Sequence, residues 1–206
     1  MYIEHSETRT RILETCVIML EQHQGKGVRM GDIAKQAGVS RQAVYLHFSS
    51  RSELLEATTK FLDQKLDVDS RLAPSRAAKS GAERLSLFVE CWGNYIPEIY
   101  GVAKALLSML DSDEAAAKAW KDRMLAMRDG CRAAIDMLHA EDNLGSEWST
   151  DIATDSLWTM LSVPNWENFT LECGWSHSQY IGRMKTLTQL AFVKSSHKAV
   201  LVGSSS

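Results

Sequence analysis

The stretch Met30-Gly31-Asp32-Ile33-Ala34-Lys35-Gln36-Ala37-Gly38-Val39-Ser40-Arg41-Gln42-Ala43-Val44-Tyr45-Leu46-His47-Phe48 constrains this chain more than any other. Two short helices that cross steeply need a small residue where they touch, and Ala34 supplies it. The turn between them needs a residue that tolerates positive φ, and Gly38 supplies that. Ile33, Val39 and Val44 are the apolar filling beneath the crossing. Together these features predict a helix-turn-helix. Ser40 is a good N-cap, which places the second helix of the pair at Arg41 to His47.

The flanks extend this reading. Ile12, Cys16 and Leu20, with Leu13 and Val17 beside them, form an apolar stripe on a helix from about Glu7 to Gln22. Gln24-Gly25-Lys26-Gly27 breaks it. Ser50-Arg51-Ser52-Glu53 has the capping-box pattern, which starts a fourth helix running to about Val68. Segment 69–81 is small and polar and reads as a loop and a joint. Two further boxes, at Ser80 with Glu83 and Ser176 with Gln179, punctuate the remainder. Helices fit about 82–98, 102–110, 113–139, 149–172 and 177–194, with Pro97 and Pro164 placed to end or kink theirs. The tail from Val202 to Ser206 reads as disordered.

Val, Ile and Thr do not alternate anywhere, and prolines number only three in 206 residues. The expected class is therefore all-α: a three-helix DNA-binding head at residues 1–52 and a larger helical body at 53–206. No run of about eighteen apolar residues occurs, and the N-terminus has acids where a secretory signal would be apolar. A cytoplasmic protein is expected. Cys16, Cys91, Cys131 and Cys173 are far apart, without CxxC or zinc spacing. They read as buried reduced thiols, with a thiol-based sensor as the alternative. No cofactor or metal is expected.

The second helix of such a unit lies in the major groove, its N-terminal residues at base edges. Arg41 suits guanine and Gln42 suits adenine, while Ala43 suits a thymine methyl. Ser40 belongs to the same contact set. Tyr45, His47 and Arg51 are placed to meet phosphates. Charge offers little help: net charge is −3, and the first 60 residues carry eight bases against seven acids. The cations must be concentrated on one face. The rival reading, a helical hairpin that touches no DNA, gives no reason for an exposed tyrosine, arginine and glutamine on so short a helix. An enzyme is not expected, since GxGxxG, Walker, HExxH and GxSxG patterns are absent and the histidines are scattered. A helical interaction protein with a decayed head is the third reading. The intact set Arg41, Gln42, Tyr45, His47 and Arg51 argues against it.

These motifs resemble the TetR family of transcriptional regulators. The resemblance rests on Thr8-Arg9-Thr10-Arg11-Ile12-Leu13, the 30–40 stretch, the run Val44-Tyr45-Leu46-His47-Phe48, and then Arg51 with Leu54-Leu55. It is tight over about residues 7–56, and weaker at Asp155 to Trp166 and Glu172 to Ser176. It implies a homodimer that binds a palindromic operator, dimerises through its last two long helices, and in most members is a repressor released by a small ligand. The chain departs from the family at the start of the second helix, with Arg29 where members usually have Thr or Ser and Gly31 where a polar or basic side chain is common. Arg29 is accordingly expected to contact DNA.

A single helix-turn-helix reads few base pairs, so a dimer is expected on physical grounds too. The candidate seam is Ile152, Leu157 and Leu161 with Ile181, Met184, Leu187 and Ala191, and Gly182 would permit close approach. These positions also fit an ordinary core. Trp92, Tyr95, Met109 and Trp120 are candidates to line a ligand cavity, with Met124, Met127 and Trp158. They equally suit core filling. No acid or base stands out within the apolar stripes, so an apolar or aromatic effector is expected.

Overall fold

The computed structural model describes residues 2–23 and 28–195, with side chains from residue 7 onward except at 23. The expected break at 24–27 and the tail at 202–206 lie outside the described residues. Ten α-helices are described: α1 Tyr2–His23, α2 Met30–Gln36, α3 Arg41–His47, α4 Arg51–Lys65, α5 Val68–Arg76, α6 Gly81–Ser108, α7 Glu114–Ala140, α8 Thr150–Met160, α9 Val163–Glu167 and α10 His177–Phe192. A π-helical turn, Asn168–Glu172, continues α9. Among the described residues no strand forms, and an antiparallel bridge joins Leu144 to Val193.

Two compact units emerge. The first comprises Met1–Asp69 and Pro97–Ala126, and the second Ser70–Ile96 and Met127–Ser206. Each of the long helices α6 and α7 contributes one part to each unit. In the first unit α1 packs on α2, α3 and α4. Its stripe of Ile12, Leu13, Cys16 and Leu20 is buried, as are Ile33, Val44, Leu54 and Leu55 facing it from the other three helices. Four ion pairs then run along α4 and the start of α7: Arg51–Asp113, Glu56–Lys118, Lys60–Asp122 and Asp63–Arg123. The hydrogen bond from Lys118 holds the Glu56 carboxyl below its ordinary value. That pair therefore contributes fully above the usual glutamate range, about pH 4, and its contribution is lost as pH falls from there through the lowered folded value.

The second unit is held by bonds between helix faces. The Trp92 indole donates to the Leu161 carbonyl at 2.6 Å, and Gln189 donates to the Ala82 carbonyl at 2.7 Å. Arg128 and Arg132 on α7 pair with Asp155 and Asp151 on α8. At Gly93 a β-carbon would stand 2.9 Å from Cγ1 of Ile181, so any larger residue would force the Ile181 side chain to shift where α6 meets α10.

The first helix starts at Tyr2 rather than at about Glu7, and four further expected boundaries differ. The 69–81 loop is mostly helix, α5, with Pro74 inside it. Asp69 in its first turn and Arg76 in its last complement the helix dipole, and Ser75 is buried with its hydroxyl on the Arg84 carbonyl. The fourth helix ends at Lys65 because the chain turns through Asp67 at φ 51°. The two helices expected at 82–98 and 102–110 are the single helix α6, which Pro97 does not end. A proline inside a helix costs about 3 kcal/mol. The buried stripe through Trp92, Tyr95, Ile96, Ile99, Val102 and Leu106 outweighs that at about 1.5–3 kcal/mol per side chain. Finally, 149–172 is broken at Ser162, whose hydroxyl caps α9, and Pro164 lies in the first turn that follows. It starts a helix rather than kinking one.

All three expected capping boxes cap. The box at Ser176 and Gln179 is reciprocal. In the other two, the serine accepts from the third residue's N–H, but the glutamate reaches one residue further back: Glu53 to Ser49 and Glu83 to Lys79.

Cys16 and Cys131 are buried, Cys91 is half-buried and Cys173 is exposed. Burial pushes the Cys16 thiol up to about 11, and pushes Cys91 and Cys131 up as well. The reactive thiolate is scarce at all three. A thiol reagent at pH 8 should therefore label Cys173 within minutes and Cys16 and Cys131 only on unfolding. Mass spectrometry of the native protein checks this; prompt native labelling of Cys16 would refute it.

Candidate nucleic-acid interface

The α2–α3 turn is built from backbone outward. Gly38 sits at φ 66°, and the Val39 N–H reaches back to the Ala34 carbonyl at 3.0 Å. Ala34 is buried beneath this turn, as the crossing requires. Ser40 is extended, and its hydroxyl accepts the Ala43 N–H at 3.0 Å. Val44 and Phe48 anchor α3 inward, both fully buried. Val39 is only half-buried.

That anchoring decides what faces out. Arg41, Gln42, Tyr45 and Leu46 are exposed, while Ala43 and His47 are half-buried at the flanks. The Arg41 guanidinium lies 5.7 Å from the centre of the Tyr45 ring. A cation–π contact of this kind contributes about 0.5–1 kcal/mol at an exposed site, which restricts both side chains before any ligand arrives. Leu46 is 71% exposed, an outlying apolar side chain on this face that the base- and phosphate-contact set does not include. Helical period alone finds it, since 41, 42, 45 and 46 share one side.

Arg29 is at the N-cap of α2, extended and exposed, and makes no side-chain cap bond. Arg51 departs from expectation. Its Nε donates to the Val28 carbonyl at 2.9 Å and its Nη1 to Asp113 Oδ2 at 2.5 Å, with Nη2 3.9 Å from Met109 Sδ. The guanidinium is committed inside the first unit and is not presented to a phosphate. Asp113 was not legible as its partner, because 62 residues separate them. Arg9, over the Phe48 ring at 5.1 Å, is a further cation at the same end of the bundle.

The body candidates divide. Of the expected seam, Leu157, Leu161 and Met184 are fully buried in the chain's own core and have no surface to offer a partner. Ile152 and Leu187 are exposed, and Ile181 and Ala191 are half-buried. Leu190, 75% exposed, and Leu171 are further exposed apolar side chains of the second unit outside that set. Gly182 has nothing within 4 Å of a β-carbon. The expected ligand residues fall in both units. Trp92 and Tyr95 are buried in the second with ring centres 5.8 Å apart, and Met127 is buried and Trp158 half-buried there. In the first, Met109 and Met124 are buried. Trp120 lines a cavity of ≈ 20 Å³ with Thr59, Leu62, Ile99, Val102 and Leu106. That space holds about one water, against several hundred Å³ for a drug-sized ligand.

Residues 12–58 match the family model for bacterial regulatory proteins of the tetR family. The nucleoid occlusion factor SlmA of Marinomonas sp. is 36% identical over 61 residues, 30% of this chain and 31% of that protein. The HTH-type transcriptional regulator AcrR of Shigella flexneri is 41% identical over 51 residues, 25% of this chain and 24% of that one. The matched stretch thus spans about a third or less of these relatives' length. Similarity of fold extends much further. A Rhodococcus sp. structure described as a TetR-family transcriptional regulator superposes with TM-score 0.72 at 20% identity, covering 90% of this chain and 98% of that one. A transcriptional regulator of Saccharomonospora viridis, solved in complex with choline, does so with TM-score 0.72 at 19% identity, covering 92% and 100%. The first helices thus carry the sequence pattern of the tetR family, and the fold resembles that of TetR-family structures over nearly the whole chain.

The bare N-cap at Arg29 generates a prediction. Arg29→Ser should cap α2 and raise unfolding stability by about 0.5–1 kcal/mol. Urea denaturation checks it; unchanged or lower stability would show that the Arg29 side chain holds the fold in another way.

Proposed function

We propose that this chain is a homodimeric, sequence-specific DNA-binding transcriptional regulator, a repressor released from a palindromic operator by a small apolar or aromatic ligand. One observation carries the reading. A seven-residue helix is capped by Ser40, anchored by Val44 and Phe48, and turns Arg41, Gln42, Tyr45 and Leu46 outward. Buried residues fix the helix and leave those four side chains no partner core to fill. Arg41 and Gln42 then read bases, Ala43 lies beside them, and Tyr45, His47 and Arg29 meet the strands.

The working division is a reading head at 1–52 and a regulatory body at 53–206. The dimer seam narrows to what the surface offers: Ile152, Ile181, Leu187 and Ala191, with Leu190 and Leu171 joining them and Gly182 open to close approach. Release by a ligand requires unequal affinity for two spacings of the paired heads. The cavity at Trp120 is too small for such a ligand as it stands, so binding there would have to open it by moving its walls in α4, α6 or α7. The choline complex of the Saccharomonospora protein supports small-molecule binding by this fold. The likeness to SlmA covers 61 residues, 31% of that protein, and gives no separate support for a nucleoid role.

The test is retardation of duplexes flanking the gene, at two salt concentrations. Binding should focus on a palindrome and weaken steeply as salt rises. Arg41→Ala should relax base preference and cost about 1–3 kcal/mol on the preferred site. Tyr45→Phe keeps the ring under Arg41 but loses the hydroxyl, so it should weaken all duplexes alike. Identical behaviour of the two variants would overturn the division between reading and positioning residues.

A further inference from the structure

We propose that Asp113 is a positioning residue of the DNA-reading head, acting through Arg51; this rests on the DNA-reading function proposed above. The two oxygens of its carboxylate have separate roles. Oδ1 accepts the Ala115 and Ala116 N–H groups at 3.1 and 3.2 Å, which caps α7. Oδ2 accepts from Arg51 Nη1. Arg51 is the first residue of α4, and its Nε holds the carbonyl of Val28. The next carbonyl along, that of Arg29, accepts the first N–H groups of α2, from Asp32 and Ile33.

A continuous path therefore runs from the N-terminus of α7 through Asp113 and Arg51 to the start of α2. One planar guanidinium addresses both partners at once, which a lysine ammonium on a single stem does not reproduce. The pair is about three-quarters buried on both sides, so it is screened less than the Lys60–Asp122 pair beside it. Where α2 begins sets where α3 lies, because the Gly38 turn joins them without slack. The corner between α6 and α7 thus sets the pose of the recognition helix. The other three α4–α7 ion pairs hold α4 but do not reach α2, which makes them natural controls.

Asp113→Asn is the decisive variant, since asparagine caps a helix as well as aspartate does but removes the charge that holds Arg51. Wild-type protein first selects a duplex from a random-sequence pool. Affinity for that duplex and for a scrambled one is then measured for wild type, D113N, R51K, the double variant and D122N. Hydrogen exchange of the α2 amides is followed in parallel. D113N should bind the selected duplex about tenfold more weakly and the scrambled duplex nearly as well as wild type, with faster exchange confined to α2. R51K should match it, the double variant should be no worse than either alone, and D122N should resemble wild type. Equal loss on both duplexes, an additive double variant, or unchanged α2 exchange overturns the proposal. If wild type selects no sequence, the DNA-reading function itself fails, and α2 exchange alone decides whether Asp113 positions the head.

Discussion

A helix of seven residues has no stability of its own in water, because nucleation costs more than two turns of hydrogen bonds return. The recognition helix α3 exists only because Val44 and Phe48 are buried against its neighbours and Ser40 caps its start. Everything outward of it inherits its precision from those three residues. The Gly38 turn adds the direction, holding α3 across α2 through a single left-handed residue. The exposed face is therefore a consequence of the buried one. Arg41 and Tyr45, stacked on each other, start out ordered, so less freedom is lost when they engage a ligand.

Electrostatics are used locally rather than globally. A chain of net charge −3 does not coat nucleic acid by bulk attraction. Two of its cations near α3, Arg9 and Arg51, are turned onto protein groups, one over the Phe48 ring and one onto Val28 and Asp113. Arg41 and Arg29 are left outward. Meanwhile α4 is fastened along α7 by alternating charges, of which Asp63–Arg123 and Arg51–Asp113 are the most enclosed. Enclosed pairs resist salt more than exposed ones do. The fastening of α4 should thus persist at ionic strengths that already weaken DNA contacts.

How much of this was legible in the sequence follows from the range of each interaction. The α2–α3 turn and its cap lie within about twenty residues, and Ala34, Gly38, Ser40 and Val44 all behave as their local chemistry dictates. Helix caps were legible for the same reason, although Glu53 and Glu83 each bond one residue earlier than the box pattern implies. α5 was not, because it lacks an apolar stripe and contains Pro74. The continuity of α6 was hidden by Pro97, whose local penalty is outweighed by burial that only tertiary structure reveals. Arg51 reads as a phosphate contact in the sequence because its partner Asp113 is distant along the chain. Leu157, Leu161 and Met184 share the apolar period of a dimer seam and of an internal core, and only burial separates the two.

The central claim is that α3 is the surface that reads DNA and that two copies of it act together. Hydroxyl-radical footprinting of the full-length protein on its selected duplex tests this most directly. Two protected half-sites related by a dyad are expected, spaced by one helical turn or a multiple of it, about 10–10.5 base pairs each. A cleavage reagent attached at Gln42 should direct cuts to the major groove of each half-site. A single unpaired footprint, or cuts from Gln42 that fall outside the protected base pairs, would contradict it.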